Sequence, residues 1–152
     1  MGKIKYEGMA FIGEYKHSLD DKGRLAIPAK FRVALSKGAV VTVGLDDCLF
    51  FYIESEWDKA AEKYAALPIN RADDRAFSRH MLAGAMEVEF DKQGRALIPE
   101  YLRKFAGLKK NVVIAGLFNR LEIWDEEKWN KYKGQTEAEI GSIAERMAEL
   151  GV

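Results

Sequence analysis

The sequence has little of the material from which disulfide-stapled domains, membrane spans and secreted proteins are built. It contains a single cysteine, Cys48, among 152 residues. An internal disulfide is therefore excluded, and nothing calls for an oxidising compartment. No run approaches the roughly 18 consecutive apolar residues of a membrane helix, and no basic-then-apolar leader opens the chain. We expect a cytoplasmic protein without a membrane partner.

The chain also lacks an excess of charge of either sign. Its 24 Lys+Arg and 24 Asp+Glu give a formal net charge of zero. This balance argues against a protein that coats nucleic acid by bulk charge, so any such binding has to come from local patches. The composition, 48% apolar and 32% charged, is that of an ordinary globular protein. This length suits one domain or two small ones.

Signatures of catalysis are equally scarce. The two histidines, His17 and His80, are far apart in the sequence and have no HExxH or CxxC partner, so a metal site has little support. No GxGxxG or GxxxxGKS phosphate-binding loop occurs. Cys48, beside a predicted turn, is more typical of a small core residue than of a nucleophile. The sequence predicts a protein that is not an enzyme and has no cofactor, metal or small-molecule substrate.

What the sequence does contain is an internal repeat. Residues 20–32, DDKGRLAIPAKFR, align without a gap with residues 91–103, DKQGRALIPEYLR. The two segments share Asp, Gly, Arg, Ile, Pro and the final Arg at an offset of 71, and Trp57 and Trp129 follow at an offset of 72. We interpret the chain as a duplicated module. The equivalent tryptophans stand beside apolar runs and are expected to pack in the core.

Both copies predict the same order of elements. A strand precedes an Asp-x-x-Gly turn, a second strand follows, a proline begins a short helix, and a β-hairpin and a helix complete the unit. The predicted first strands are 14–19 and 85–90, the second strands are 24–27 and 95–98, and the short helices are 29–35 and 100–105. The predicted hairpins are 39–44 with 48–53 and 111–115 with 120–124. Ser55 is the predicted N-cap of the first closing helix. This is an α+β, strand-rich fold whose halves, or several subunits, must combine to bury a core.

Two other segments are predicted to be helical. One connects the copies at about 72–83. At the C-terminus Thr136-x-x-Glu139 fits a capping box, and an apolar stripe behind it predicts a docked amphipathic helix; the stripe comprises Ile140, Ile143, Ala144, Met147 and Leu150. We divide the chain into a leader or extension, expected to be disordered (1–10), a first module (11–57), a helical connector (58–83), a second module (84–129) and a C-terminal helix (130–152).

The strongest local signal is the repeated Asp-x-x-x-Arg. An Asp at the start of a tight turn can accept the turn's backbone N–H groups or pair with the Arg four residues later, which fixes the direction of the guanidinium. Two such forks related by an approximate two-fold axis suit duplex DNA. The alternative is that each pair only stabilises its own hairpin and has no role in binding. Surface ion pairs at turns are common and contribute little to the free energy of unfolding. A proton-sharing carboxylate pair of the aspartic-protease kind is disfavoured, because the nearby cation favours the ionised form of each Asp.

Local charge is unevenly distributed along the chain. The window 14–32 carries five cations against three acids, net +2, whereas 87–104 is balanced. From residue 121 onward eight acids face four cations, net −4. One weakly basic patch binds phosphates weakly, so useful affinity for DNA would require many copies acting through avidity.

With these motifs, the sequence resembles the MraZ family of bacterial transcriptional regulators, built from two SpoVT-AbrB-like modules. The similarity extends from about residue 10 to the end, and both copies of the family's Asp-x-x-x-Arg signature are intact. The matching segments are GEYKHSLDDKGR at 13–24, IPAKFR at 27–32, GLDDCLF at 44–50, DKQGR at 91–95 and FNRLEIW at 118–124.

The resemblance implies two tandem swapped-hairpin AbrB-like modules that form a small barrel-like β core flanked by helices. It implies assembly into a homo-oligomeric ring of about eight to twelve subunits. It further implies sequence-specific binding to direct repeats in the promoter of a bacterial cell-division and cell-wall gene cluster that includes the regulator's own gene, hence association with the nucleoid.

By position, the resemblance assigns the DNA contacts to the two turns. Arg24 and Arg95 become the leading phosphate or base-edge contacts, and Asp20 and Asp91 become their organisers. The supporting phosphate contacts are Lys16, Lys22 and Lys92. Because Gln93 replaces the equivalent of Lys22, equal contributions from the two modules are not expected.

A second hypothesis belongs to another class of protein. In it the chain is a ring-forming protein-interaction scaffold that docks a partner through its acidic C-terminal part, and DNA binding is incidental. Preference for the chain's own promoter over random sequence separates the two hypotheses.

Overall fold

The structure is a computed structural model that describes residues 10–152. The predicted leader, except for its last residue, lies outside the described residues. The elements in chain order are β1 (Phe11–Ser18), β2 (Arg24–Ala26), α1 (Ala29–Leu35), β3 (Ala39–Val43), β4 (Leu49–Ile53), α2 (Glu54–Ala65), α3 (Ala72–Ala83), β5 (Met86–Glu87), β6 (Arg95–Leu97), α4 (Glu100–Ala106), β7 (Asn111–Phe118), β8 (Leu121–Asp125) and α5 (Glu126–Ala148). The α+β, strand-rich class is confirmed, and most elements lie within a few residues of the predicted ranges.

Six strands form one antiparallel sheet in the order β1-β7-β8-β4-β3-β5. β1 pairs with β7 over its whole length, from Phe11 opposite Phe118 to Ser18 opposite Asn111. β5 pairs with β3. The first strand of each repeat therefore pairs with a strand of the other repeat. The strand order is symmetric about the β8–β4 pair, because the repeat-equivalent strands β7 and β3 come next on either side and β1 and β5 form the two edges. The two copies share one core, as their small size requires.

A barrel is not closed within this part of the chain, which corrects the barrel-like core expected above. Among the described residues β1 and β5 are the outer strands of an open sheet. β5 covers only two of the residues predicted as a strand, and the rest of that segment makes isolated bonds, such as the Val88 N–H to the Ala39 carbonyl at 2.9 Å. In the described part of the chain β1 pairs with β7 and β5 with β3, and the two edges do not pair with each other, so the sheet stays open.

The central strands are continuous apolar runs, typical of strands covered on both faces. Every residue of β3 (AVVTV) and of β4 (LFFYI) is buried. The turn between them places Asp46 and Asp47 at φ of 63° and 62°, a left-handed conformation that Asp tolerates better than most residues. The predicted hairpin is confirmed. Cys48 lies beside this turn and is buried, as expected of a core residue.

Both closing helices begin directly at the end of a strand. α2 starts at Glu54 with Ile53 as its cap, so Ser55 lies inside the first turn and the predicted N-cap is wrong. The tryptophans pack as predicted. Trp57 lies 5.7 Å from Tyr52, and Trp129 lies 5.3 Å from Trp124, measured between ring centroids.

α5 differs most from its prediction. It is one continuous helix from Glu126, so Thr136 lies in its interior and the predicted capping box does not start a helix. The apolar stripe is exposed rather than docked: Ile140 is 53% exposed and Leu150 is 72% exposed. The reason is length, because a helix of 23 residues spans about 35 Å. Its first turns pack on β8, where the Trp129 and Tyr132 rings lie 5.3 and 5.1 Å from the Trp124 ring, whereas most residues of its later turns are exposed.

Within residues 10–152, no helix is both long enough and apolar enough to cross a membrane.

A buried hydrogen bond fastens the connecting helix α3 to the sheet. The hydroxyl of Thr42 in β3 donates to the carbonyl of Met81 at 2.8 Å, and both residues are fully buried. A buried polar group that loses its partner costs the full desolvation penalty. This bond therefore holds α3 in place more firmly than its apolar contacts would alone.

We predict that Thr42→Val lowers the free energy of unfolding by about 1–3 kcal/mol, because valine keeps the side-chain shape but leaves the Met81 carbonyl without this donor. Urea denaturation measures the loss. Relative to the wild-type chain, the variant's amide hydrogen exchange should accelerate more in α3 than in α4. An unchanged free energy of unfolding would show that the bond contributes nothing.

Candidate nucleic-acid interface

The two Asp-x-x-x-Arg turns lie side by side because β2 and β6 form a separate two-stranded antiparallel ribbon. Its register places Arg24 opposite Leu97, Leu25 opposite Ala96 and Ala26 opposite Arg95. The central pair, Leu25 and Ala96, is fully buried. Since side chains alternate along a strand, both arginines extend from the opposite, outer face of the ribbon. The arrangement is approximately two-fold symmetric about the central pair.

The Asp of the first turn both builds the turn and orients the arginine. Asp20 Oδ1 accepts the backbone N–H groups of Lys22 at 3.0 Å and Arg24 at 2.9 Å. Its Oδ2 accepts the Arg24 side-chain Nε–H at 2.7 Å. Gly23, at φ 83°, closes the turn in a conformation that favours glycine.

The second turn repeats this geometry. Asp91 Oδ1 accepts the backbone N–H groups of Gln93 and Arg95, both at 2.9 Å, and its Oδ2 accepts Arg95 Nε–H at 2.8 Å. The two roles that the sequence left as alternatives for each Asp, organiser of the turn and partner of the Arg, therefore occur together in both copies.

One carboxylate connects the two turns. Arg95 Nη1 lies 3.5 Å from Asp20 Oδ2, the same oxygen that accepts from Arg24. Both guanidinium groups are therefore within reach of Asp20. The two arginine side chains remain 32% and 29% exposed, so their outer N–H groups are available to a partner.

The hydrogen bonds determine the charge state of the two acids. The backbone N–H of Arg24, followed by its side chain, lowers the pKa of Asp20 to about 2, although desolvation acts in the opposite direction. The equivalent bonds from Arg95 lower the pKa of Asp91. Both carboxyls are therefore ionised at neutral pH, which is unfavourable for a proton-sharing pair.

The three lysines of the predicted site fall in two places. Lys22 and Lys92 are exposed in the two turns that flank the ribbon. Lys16 is also exposed but lies in β1, opposite Val113 of β7. The structure thus brings together both Asp–Arg pairs and two of the lysines, whereas Lys16 belongs to the larger sheet.

Two arginines to which the sequence alone assigned no role support the turns. Arg32 and Arg103, the final Arg of each repeated segment, donate from Nε to the carbonyls of Ile27 and Ile98 at 3.0 and 2.9 Å. A Cβ added to Gly23 would lie 2.7 Å from Arg103 Nε, and one added to Gly94 would lie 3.4 Å from Arg32 Cδ. Arg103 therefore packs on the first turn and Arg32 packs on the second, so each arginine supports the turn of the other copy. Their identity in both copies was the available signal.

The described residues offer no alternative chemistry at a metal. No group of three or more His, Cys, Asp or Glu side chains in residues 10–152 is arranged to hold a metal ion. Burial raises the pKa of the Cys48 thiol, and the thiol donates to the Leu45 carbonyl at 3.1 Å. Burial, followed by the charge of Arg32, lowers the pKa of His17.

The two turns should respond differently to the same substitution. Both glycines have positive φ, so alanine at either position costs about 1–2 kcal/mol of backbone strain. At Gly23 the new Cβ would also lie 2.9 Å from the Ile98 carbonyl oxygen, which is backbone, whereas at Gly94 its nearest neighbour is Arg32 Cδ at 3.4 Å. We predict that Gly23→Ala lowers the free energy of unfolding more than Gly94→Ala in urea denaturation. Equal losses would show that the closer packing on the first turn has no energetic effect.

The carboxyl of Asp20 should titrate near pH 2. Because its pKa is lower in the folded state than in the unfolded chain, it stabilises the fold above about pH 4, and this contribution is lost as the pH falls towards 2. Carboxyl carbon NMR chemical shifts measure the titration. In Arg24→Ala the pKa should rise only partly, because the backbone N–H of residue 24, which has the largest effect on this carboxyl, remains. A complete return to the ordinary value would contradict this ranking.

Comparison with known proteins agrees with the duplication. One family model, described as "MraZ protein, putative antitoxin-like", matches the chain twice, at residues 10–80 and 81–150. The protein named Transcriptional regulator MraZ from Acetivibrio thermocellus is 51% identical over 142 residues, which cover 93% of this chain and 99% of the relative. Those from Natranaerobius thermophilus and Desulforamulus reducens are 49% and 47% identical, over 93% and 92% of this chain and 99% of each relative. The chain belongs to the MraZ family.

Proposed function

We propose that the chain is a sequence-specific DNA-binding transcriptional regulator that presents the β2–β6 ribbon to duplex DNA. The observation that carries the proposal is the pair of arginines, Arg24 and Arg95, held on the outer face of the ribbon in symmetric positions. The major groove admits a two-stranded ribbon, and the planar fork of arginine matches both phosphate oxygens and the guanine edge. The relatives are named transcriptional regulators, a class without catalysis, which supports the same choice.

In this proposal each residue of the site has a defined role. Arg24 and Arg95 contact phosphates or base edges, and Asp20 and Asp91 hold them in place. The exposed lysines Lys22 and Lys92 contact the phosphates that flank the ribbon, while Lys16, in β1, contacts more distant phosphates. The two turns differ in one charge because Gln93 takes the place of Lys22, so the first turn contributes more to affinity.

The proposal extends to assembly and target. Modules at 11–57 and 84–129, joined by the connector 58–83 and followed by the C-terminal helix 130–152, form swapped-hairpin units. Pairing of β1 with β7 and of β5 with β3 supports that exchange. A ring of about eight to twelve subunits engages direct repeats in the promoter of a cell-division and cell-wall gene cluster. The need for many weak contacts on one DNA supports a ring.

The central test replaces the arginines. Arg24→Ala and Arg95→Ala should each weaken binding by about 1–3 kcal/mol per contact, multiplied by the number of ribbons engaged. The fold should survive, because the backbone bonds to Asp20 and Asp91 remain. Gel shifts with the chain's own upstream DNA measure the loss, and Lys59→Ala, an exposed cation in α2, is the matched control. Unchanged affinity in the double variant would reject the site.

The scaffold hypothesis retains one supporting observation, since the acidic end of α5 is exposed. A salt series with promoter and random DNA separates the two functions. A regulator loses affinity steeply with salt and still prefers its promoter, whereas incidental binding shows no preference between sequences.

A further inference from the structure

The two copies of the repeat differ in the loop that follows their short helix. In the first copy the loop 36–38, SKG, connects α1 to β3, whereas in the second copy the loop 107–110, GLKK, connects α4 to β7. The longer loop accounts for the change of offset between the copies from 71 to 72. It carries two lysines, Lys109 and Lys110, where the shorter loop carries only Lys37. We call Lys109 and Lys110 the loop lysines.

Main-chain bonds fix this loop beside the first Asp–Arg turn. The carbonyl of Lys110 accepts the backbone N–H of Leu19, the residue directly before Asp20, at 2.8 Å. On its other side the loop is held by β8, since the backbone N–H of Lys109 donates to Oδ1 of the buried Asp125 at 3.3 Å. The loop lysines therefore have a defined position at one end of the β2–β6 ribbon.

A cleft of about 400 Å³ lies between the loop and the turn. Asp20 and Asp21 line the cleft on the side of the turn, and the loop lysines line it on the other side. Arg103, which packs on Gly23, lines it as well. Both loop lysines are exposed. The cleft thus brings two solvent-accessible cations next to the turn that holds Arg24.

The first turn has less positive charge of its own than the second. Residues 20–24 contain two acids and two cations, whereas residues 91–95 contain one acid and two cations. The difference lies at Asp21, which stands where the second copy has Lys92. When the loop lysines are counted with the first turn, this end of the ribbon has four cations against two acids. The longer loop therefore reverses the deficit.

We propose that the loop lysines bind backbone phosphates of duplex DNA and extend the interface beyond the ribbon at the first turn. The inference rests on the DNA-binding function proposed above. With three residues in each strand, the ribbon is about 10 Å long, close to the ~12 Å width of the major groove. Groups just beyond its end would then lie near the phosphates that border the groove. A lysine ammonium suits this contact, because it is a point charge on a flexible stem.

Nearby acids define the alternative role that the test has to separate. Lys109 Nζ lies 3.8 Å from Glu127 Oε2, but these side chains are 73% and 84% exposed, so the pair contributes little. Asp20 is already engaged by the two arginines of the ribbon. Asp21 is exposed and faces the same cleft. The alternative is that the loop lysines only neutralise Asp21.

The first test replaces both loop lysines in the full chain with Lys109→Gln/Lys110→Gln. Fluorescence anisotropy measures binding to the chain's own upstream DNA and to a random duplex over a salt series. The slope of log K against log salt should become shallower by about two for each ribbon engaged, because each phosphate contact contributes about 0.9. Affinity should fall by the same factor on both duplexes, since phosphates carry no sequence information.

The matched control is Lys59→Gln/Lys63→Gln, which removes the same charge from exposed positions of α2 and should keep the wild-type slope. Circular dichroism confirms that each variant is folded. The single variants Lys109→Gln and Lys110→Gln should each reduce the slope by about half as much as the double variant. An unchanged slope in the double variant would overturn the proposal, as would a loss confined to the upstream DNA.

The second test repeats the measurement after Asp21→Asn has removed the exposed acid. If the loop lysines bind phosphate, Lys109→Gln/Lys110→Gln reduces the slope as much in this background as in the wild-type chain. A reduction that disappears with Asp21 would show that the lysines only neutralise it, and the proposal would be overturned.

Failure of this inference is distinct from failure of the proposed function. A wild-type chain that binds neither duplex would overturn both. If the wild-type chain prefers its upstream DNA and Arg24→Ala weakens that binding, an unchanged slope in the loop variant rejects the loop lysines alone and leaves the ribbon as the interface.

Discussion

The antiparallel pairing of β2 with β6 is the constraint on which the candidate site depends. This pairing joins the two copies of the repeat at their most similar segments and buries Leu25 against Ala96. It also supplies main-chain support across the copies, since the N–H of Ile98 donates to the carbonyl of Gly23 at 2.8 Å. Without it, each Asp–Arg turn would be an isolated surface hairpin. With it, two turns become one rigid surface with two-fold character.

Much of the fold could be predicted because the signals are local. The Asp-x-x-Gly turns, the helices after Pro28 and Pro99 and the apolar strands β3 and β4 are each determined by short-range chemistry. Which strands pair is a different matter. Alternation of apolar residues shows which face of β1 is buried, but it contains no information that its partner is β7 of the other copy. That choice is made by the shared core, so the open sheet could not be distinguished from a barrel.

The errors of prediction at the helix ends have a common cause. Ser55 and Thr136 both match local capping patterns, yet α2 and α5 begin directly where β4 and β8 end. Tertiary structure fixes the start of the helix, and a capping pattern inside it is then without effect. Arg32 and Arg103 were assigned no role for the converse reason, because their role lies in the turn of the other copy and becomes visible only once the copies are paired.

The acid beside each arginine links the proposed DNA recognition to the proposed assembly. In the proposed interface, the Asp next to each Arg reduces the attraction to phosphate, so it is a poor choice where affinity alone matters. It fixes the direction of the guanidinium, however, and a group that is already oriented loses less conformational freedom on binding. Each ribbon is thus suited to specificity at the expense of affinity. In a chain with zero net charge, the missing affinity would come from several ribbons on one DNA, as the proposed ring provides.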